Sequence, residues 1–270
     1  MIDISRLGKD GAFFVIAGPC VIEGEEFLLK TARTLKEITD TYEVPLVFKS
    51  SFDKANRSSG KSFRGPGLKK GLSALAKVRK TLGIPVLTDI HEIGEVREAA
   101  KVADVLQIPA FLSRQTSLLV EAAQWAKAVN VKKAQFMAPW EMGNVVDKLK
   151  AAGGKTIWLT ERGTMFGFNN LVVDYRGIPE MKKTGCPVIF DGTHSVQQPA
   201  AKGTSSGGTR EHVPTLVRAA VAAGVDGLFT EVHPNPPKAK SDAATQITFD
   251  TFETLLKDSL AIRRALHRQF

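Results

Sequence analysis

Residues Val44–Lys49 read VPLVFK, and Ser50–Gly67 continue SSFDKANRSSGKSFRGPG. The first run is apolar without alternation, the pattern of a strand buried on both faces. It ends on a lysine. Lys49, Lys54, Arg57, Lys61 and Arg64 then place five cations in sixteen residues against one anion, Asp53. Glycines, serines and an asparagine lie between them, so backbone N–H groups and hydroxyls stand beside the charges. Arginine forks, lysine point charges and neutral donors together are what a phosphorylated ligand takes. A solvated basic loop has a similar composition, but cations that begin where a buried strand ends suggest a pocket. Helical spacing resumes over Leu68–Leu82. The unit is strand, polar loop, helix.

The unit recurs. Strands are expected at Ala12–Ala17, Pro45–Lys49, Pro85–Thr88, Asp104–Pro109, Ala128–Lys132, Thr156–Thr160, Pro187–Asp191 and Gly227–Glu231. For the fifth, Ala134–Ala138 competes, but Ala128–Lys132 lies at the better distance from the preceding helix. Helices are expected over Gly24–Tyr42, Leu68–Leu82, the stretch after His91 to Lys101, Gln115–Lys127, Glu141–Ala152, Arg210–Ala223 and Phe252–Leu266, with an irregular helical segment at 170–183. Eight buried strands alternating with eight helices require a parallel sheet. At 270 residues this predicts an α/β fold, a (β/α)8 TIM barrel in a single domain over 1–270. No G-x-G-x-x-G follows the first strand, which counts against a dinucleotide fold. Residues 1–11 are expected as a strand pair closing the barrel bottom or as a disordered arm.

Composition narrows the function. Hydrophobic residues make up 43% and no apolar run reaches the length of a membrane span, so no membrane role is expected. The first dozen residues lack an apolar signal core, and two cysteines make no disulfide framework, so a cytoplasmic enzyme is the expectation. A net charge of +9 suits nucleic acid or small anions. Lysine–arginine runs and interleaved aromatics are lacking, so small anionic molecules are favoured over nucleic acid.

In a barrel of this kind, reactive groups sit at the C-terminal strand ends. Those ends supply Cys20, Lys49, Asp89 with His91, Gln107, Lys132, Glu161 with Arg162, His194, and Glu231 with His233. Cys20, His194, Glu231 and either His233 or Asp242 are candidate ligands for zinc, iron(II), manganese or cobalt. A lone cysteine is usually a small buried hydrophobe, and from residue types alone the metal signal is weak. Lys49, Lys54, Arg57, Lys132 and Arg162, with Arg114 nearby, hold more positive charge than one phosphate needs. Two anionic substrates are implied, or one with two anionic groups. A lysine Schiff base at Lys49 or Lys132 is a rival mechanism.

Several stretches resemble the 3-deoxy-D-manno-octulosonate 8-phosphate synthase family: GPCVIE at Gly18–Glu23, FKSSFDKANRSS at Phe48–Ser59, FRGPG at Phe63–Gly67, TDIHE at Thr88–Glu92 and QIPAFLSRQT at Gln107–Thr116. LTERGTMFGFNNLVVD at Leu159–Asp174, DGTHSVQQP at Asp191–Pro199 and EVHPNPPKAKSDAATQ at Glu231–Gln246 complete the likeness. The resemblance implies a barrel enzyme that condenses phosphoenolpyruvate with arabinose 5-phosphate and releases phosphate, in the making of a lipopolysaccharide sugar. It implies Lys54, Lys132 and Arg162 on phosphoenolpyruvate with Lys49 close by, and Asn56, Arg57 and Ser58 on the sugar phosphate. Cys20 places the chain with the metal-dependent branch, whose four ligands match Cys20, His194, Glu231 and Asp242, and leaves His233 a supporting role. Lys54, Asp89, His91, His194 and Asp242 are the candidate catalytic groups. A homotetramer is implied, with Arg114 reaching a neighbouring subunit's site. Gly24 and Gly192 depart from the family's usual serine and alanine. The related heptulosonate synthases, which take erythrose 4-phosphate, differ at the KANRSS loop. The stretches 200–209 and 234–242 are rich in Gly, Ser and Pro and read as lids.

Overall fold

A computed structural model describes residues 2–55, 60, 62–165, 170–199 and 207–267. Eight parallel strands close into a barrel: β1 Phe14–Gly18, β2 Leu46–Lys49, β3 Val86–Asp89, β4 Val105–Ile108, β5 Ala128–Lys132, β6 Ile157–Glu161, β7 Val188–Asp191 and β8 Gly227–Glu231. Closure is direct, since β1 pairs with both β2 and β8, the latter from Phe14 opposite Gly227 to Gly18 opposite Glu231. The fifth strand is Ala128–Lys132, and the competing segment forms no strand.

The helices are α1 Glu25–Thr41, α2 Leu68–Leu82, α3 Ile93–Val102, α4 Thr116–Trp125, α5 Met142–Ala151, α6 Gly177–Lys182, α7 Val213–Ala222 and α8 Phe249–His267. Each turns an apolar stripe onto the sheet. Leu28, Ala32 and Leu35 of α1 and Leu72, Leu75 and Val78 of α2 join the core between strands and helices. Because helices cover the outside and side chains fill the inside, every barrel-strand residue is buried, which is why the strands read as unbroken apolar runs.

Two expectations need correction. The segment 170–183 is helical only over Gly177–Lys182; Leu171–Val172 instead pair with Thr164–Met165 in a small antiparallel ribbon. The N-terminal residues are neither a strand pair nor, from 2 on, a disordered arm. Asp3 caps a short turn, Ile4–Arg6, and Leu7 inserts into the barrel interior with Phe14 and Trp158. Burying that one leucine closes the bottom without any backbone pairing. No helix among the described residues is long and apolar enough to cross a membrane.

Candidate active site

Strand alternation decides which side chains meet. Val47, Leu87, Ile189 and Phe229 fill the barrel interior. Residues two places further along face the same way one layer higher. Lys49, Asp89, Asp191 and Glu231 are those residues, and Lys132 joins them from β5; all are buried. Gly18 completes the layer by absence, because a Cβ there would fall on the Lys49 carbonyl oxygen. The barrel thus has an apolar interior and an ionic ceiling.

A buried amide chain supports that ceiling. Thr160 Oγ1 donates to Asn130 Oδ1 (2.7 Å), Asn130 Nδ2 to Gln107 Oε1 (2.8 Å) and Gln107 Nε2 to Asp89 Oδ1 (2.6 Å). Ser51 donates to the other Asp89 oxygen. Burial would raise the Asp89 carboxyl, but Lys49 and Lys54 outweigh it and hold it well below the usual range.

Above β1, β7 and β8, ligating atoms of Cys20, Glu231 and Asp242 lie within 4.8 Å of one another. Cys20 Sγ is 2.9 Å from Asp242 Oδ2. His194 Nε2 lies 3.6 Å from Glu231 Oε2 and 3.9 Å from Asp242 Oδ2. Its Nδ1 is 2.7 Å from Asp191 Oδ2. A carboxylate only accepts, so a neutral ring carries its proton on Nδ1 and turns the Nε2 lone pair to the cluster. Glu231 Oε2 is buried without a hydrogen-bond partner among the described residues. A bare carboxylate oxygen facing a thiol, an imidazole and a second carboxylate fits a divalent cation. Burial first, then Asp242 and Glu231, push the Cys20 thiol well up. A bound cation reverses that. The backbone also favours this reading: Asp242 has φ 47°, a left-handed conformation uncommon outside glycine and found at ligand sites. Gln246 ties the cluster together, accepting from the Cys20 N–H (3.3 Å) and donating to the Ser241 carbonyl (2.7 Å).

Beside the cluster opens a cavity of about 940 Å³ lined by Lys49, Lys54, Lys132, Arg162, His194 and Asp242, among others. Lys49 Nζ donates to Glu231 Oε1 (2.6 Å) and to the Cys20 carbonyl (3.0 Å). Lys54 Nζ lies 3.6 Å from Asp242 Oδ2. Lys132 pairs with Asp191 and sits 3.1 Å above the Phe229 ring. Arg162 Nη2 donates to Gln197 Oε1 (2.9 Å), while Nη1 is buried without a partner among the described residues. Glu161, turned outward against Lys133 at 3.5 Å, accepts from the backbone N–H of Arg162 (2.8 Å) and Gly163 (2.6 Å) and so fixes the turn that aims the guanidinium.

These cations differ in how they are held. Burial would lower Lys54, but Cys20, Asp242 and Glu231 outweigh it and raise it well above the ordinary lysine value. Burial lowers Lys132 to about 8; Asp191 opposes this, and Lys49 and Arg162 add to it. Lys132 is therefore cationic below about pH 8 and neutral above. A bound anion favours its charged form, so anion affinity is expected to fall as pH rises through that value, and in a Lys132→Met protein that inflection should vanish. Titration calorimetry of phosphoenolpyruvate binding across pH checks this. A wild-type affinity flat between pH 7 and 9 would sink it.

Not every expected residue joins. Arg114 is exposed and does not line the cavity. His91 lines its wall but turns Nδ1 to Glu95 at 3.6 Å, away from the cluster. His233 faces Glu23 at 3.5 Å and packs on Phe27, as a supporting residue would. Asn56, Arg57 and Ser58, and 200–206 of one expected lid, lie outside the described residues. Asp191, Gln197 and Gln246 were not singled out from sequence. Asp191 was within reach, having the parity of the inward Ile189. Gly192 has a packing reason too: a Cβ there would lie 2.5 Å from Val217 Cγ2.

The comparisons bear on this site as a whole. Residues 2–266 match the DAHP synthetase I family. Over 252 residues the chain is 57% identical to the 2-dehydro-3-deoxyphosphooctonate aldolase of Stenotrophomonas maltophilia (strain K279a), covering 93% of this chain and 91% of that one. It is 54% identical over 260 residues to the protein of that name from Cyanothece sp. (strain PCC 7425), covering 96% and 95%. For the Geobacter sp. (strain M21) protein of the same name, identity is 56% over 252 residues, covering 93% and 92%. With nearly its full length matched by one family model and by relatives well above half identical, the chain belongs to the DAHP synthetase I family.

Proposed function

We propose that this protein is a 3-deoxy-D-manno-octulosonate 8-phosphate synthase, the enzyme also called 2-dehydro-3-deoxyphosphooctonate aldolase, as its relatives are named. It joins phosphoenolpyruvate, arabinose 5-phosphate and water into the eight-carbon sugar acid phosphate and releases inorganic phosphate. The observation that carries the reading is a cavity lined by four cations, three of them buried, beside a cluster of a thiol, an imidazole and two carboxylates.

In the reaction, C3 of phosphoenolpyruvate bonds to the aldehyde carbon of the sugar, and the aldehyde oxygen takes up a proton. Water adds at C2, losing a proton, and the C2–O bond to phosphorus breaks, leaving a ketone and inorganic phosphate. Two anions must meet, so their repulsion has to be offset before any bond forms. Lys54, Lys132 and Arg162 hold phosphoenolpyruvate, with Lys49 behind them. Asn56, Arg57 and Ser58 take the sugar phosphate. Asp89, with both oxygens accepting, holds Lys49, and His91, which lines the cavity, moves the proton at the aldehyde oxygen. Cys20, His194, Glu231 and Asp242 hold a divalent metal, zinc or iron(II) by their softness and manganese or cobalt as other occupants. Such an ion supplies positive charge that acidifies a water or polarises the aldehyde. The assembly is a cytoplasmic homotetramer in which exposed Arg114 reaches a neighbour's site.

The test is phosphate release from phosphoenolpyruvate with either arabinose 5-phosphate or erythrose 4-phosphate, before and after chelation. Turnover is expected only with the pentose phosphate, lost on chelation and restored by a divalent metal. Preference for erythrose 4-phosphate would make the chain a heptulosonate synthase instead. Full activity after thorough chelation would remove the metal from the reading.

A further inference from the structure

Gln197 stands between the two halves of this site. It follows the short turn His194–Val196 and is half-buried. Its Oε1 accepts from Arg162 Nη2 at 2.9 Å, and its Nε2 donates to Asp242 Oδ1 at 2.8 Å. Only one orientation of the amide satisfies both partners, since a guanidinium can only donate and a carboxylate can only accept. Each end therefore fixes the other.

The two partners belong to the two halves, Arg162 to the cation-lined cavity and Asp242 to the thiol and carboxylate cluster. Arg162, which lines the cavity, spends Nη2 on the glutamine, and its Nη1 is buried without a partner among the described residues. Asp242 spends Oδ1 on the glutamine and turns Oδ2 to Cys20 at 2.9 Å and towards His194 Nε2 at 3.9 Å. The backbone keeps this bridge short. Gln197 pairs with Gly208 in an antiparallel ribbon, and a Cβ on Gly208 would strike Thr245. The Thr245 N–H in turn donates to the Asp242 carbonyl at 3.0 Å. Gln197 and Asp242 are thus held by side chain and main chain together.

We infer that Gln197 is a positioning residue that couples anion binding at Arg162 to cation binding at Asp242, so that each ligand tightens the other. An anion on the Arg162 guanidinium fixes its plane, which fixes the amide, which fixes the carboxylate oxygen presented to the cation. A cation on Oδ2 runs the same sequence in reverse. Linkage requires the two effects to be equal. The inference rests on the proposed reading of the site.

The experiment uses binding alone. Cobalt(II) is titrated into the metal-free full chain, with and without phosphoenolpyruvate, following the thiolate–cobalt absorbance. Phosphoenolpyruvate is expected to raise cobalt affinity about tenfold in the wild type, and cobalt to raise phosphoenolpyruvate affinity by the same factor. In Gln197→Met the enhancement should fall about fivefold, leaving only direct attraction between the ligands, while each alone still binds. Gln197→Glu accepts from Arg162 but sets like charge against Asp242, so its enhancement should also drop; it serves as the test if the methionine variant misfolds. The same enhancement in wild type and variant, or none in the wild type, would overturn the coupling. Failure of the wild type to take up cobalt or phosphoenolpyruvate at all would overturn the site reading itself, and the coupling with it.

Discussion

Replacing Lys49 with methionine is expected to lower stability by about 3–5 kcal/mol, as measured by denaturant unfolding at pH 7 with chelator present. Lys49 and Glu231 side chains are 1% and 0% exposed, and their charged atoms are 2.6 Å apart. Without the lysine, the buried Glu231 carboxylate loses its nearest and strongest countercharge and is left to the more distant Lys54 and His194. The direction of the lysine's titration supports a net gain from the pair. Burial alone would lower Lys49, yet Glu231 and Asp89 outweigh it and raise it above the ordinary lysine value. The stability it contributes is thus fully present below that ordinary value and is lost only as pH climbs past the raised one. The double change Lys49→Met with Glu231→Leu removes both charges, and most of the loss should be recovered. A single variant within 1 kcal/mol of wild type would refute the account, as would a double variant no better than the single.

Arg162→Met should behave in the opposite way. Its kcat/KM is expected to drop by about three orders of magnitude, the scale for removing a preorganised charge from a reacting anion. Its stability is expected to hold or to rise by about 1–2 kcal/mol. Burial lowers the Arg162 guanidinium from its ordinary value, against the pull of Asp191, Asp242 and Glu161. One nitrogen bonds Gln197 while Nη1 has no hydrogen-bond partner among the described residues. A buried cation left partly unsatisfied is a cost to the fold that a ligand offsets. Steady-state kinetics and thermal unfolding on the same preparation separate the two effects. Loss of stability with the activity would make Arg162 a structural residue.

The difference between these cations was not visible in sequence. Both follow or end an apolar run, and both were read as anion binders. What the sequence carried well was periodicity. Eight apolar runs gave the strands, and their ends gave Lys49, Asp89, Lys132 and Glu231, because side-chain alternation in a strand is a local rule. Cys20, His194 and Asp242 lie in loops past the strands, where no period governs direction; from residue types alone they were only possible ligands, and it was the resemblance that singled them out. Gln197 and Gln246 escaped because a neutral amide acquires meaning only from partners far along the chain. Gln246 bonds Cys20, 226 positions away. Residues 170–183 misled because helical composition there is overridden by the ribbon at Leu171–Val172. Arg114 gave a strong local signal, yet it is exposed and does not line its own cavity.

The ionic ceiling has a consequence for how ligands arrive and how they stay. Counted with the loop groups Lys54, Arg162 and Asp242, it sets four cations, Lys49, Lys54, Lys132 and Arg162, against four carboxylates, Asp89, Asp191, Glu231 and Asp242, and is close to electroneutral. The surplus of nine positive charges therefore lies elsewhere on the chain. A far-reaching field from that surplus gathers anions from solution and fades over roughly 8 Å at physiological ionic strength. The buried seats are largely shielded from that fading. Added salt should then slow capture while leaving residence time nearly untouched, and the two halves of affinity answer to different parts of the same protein.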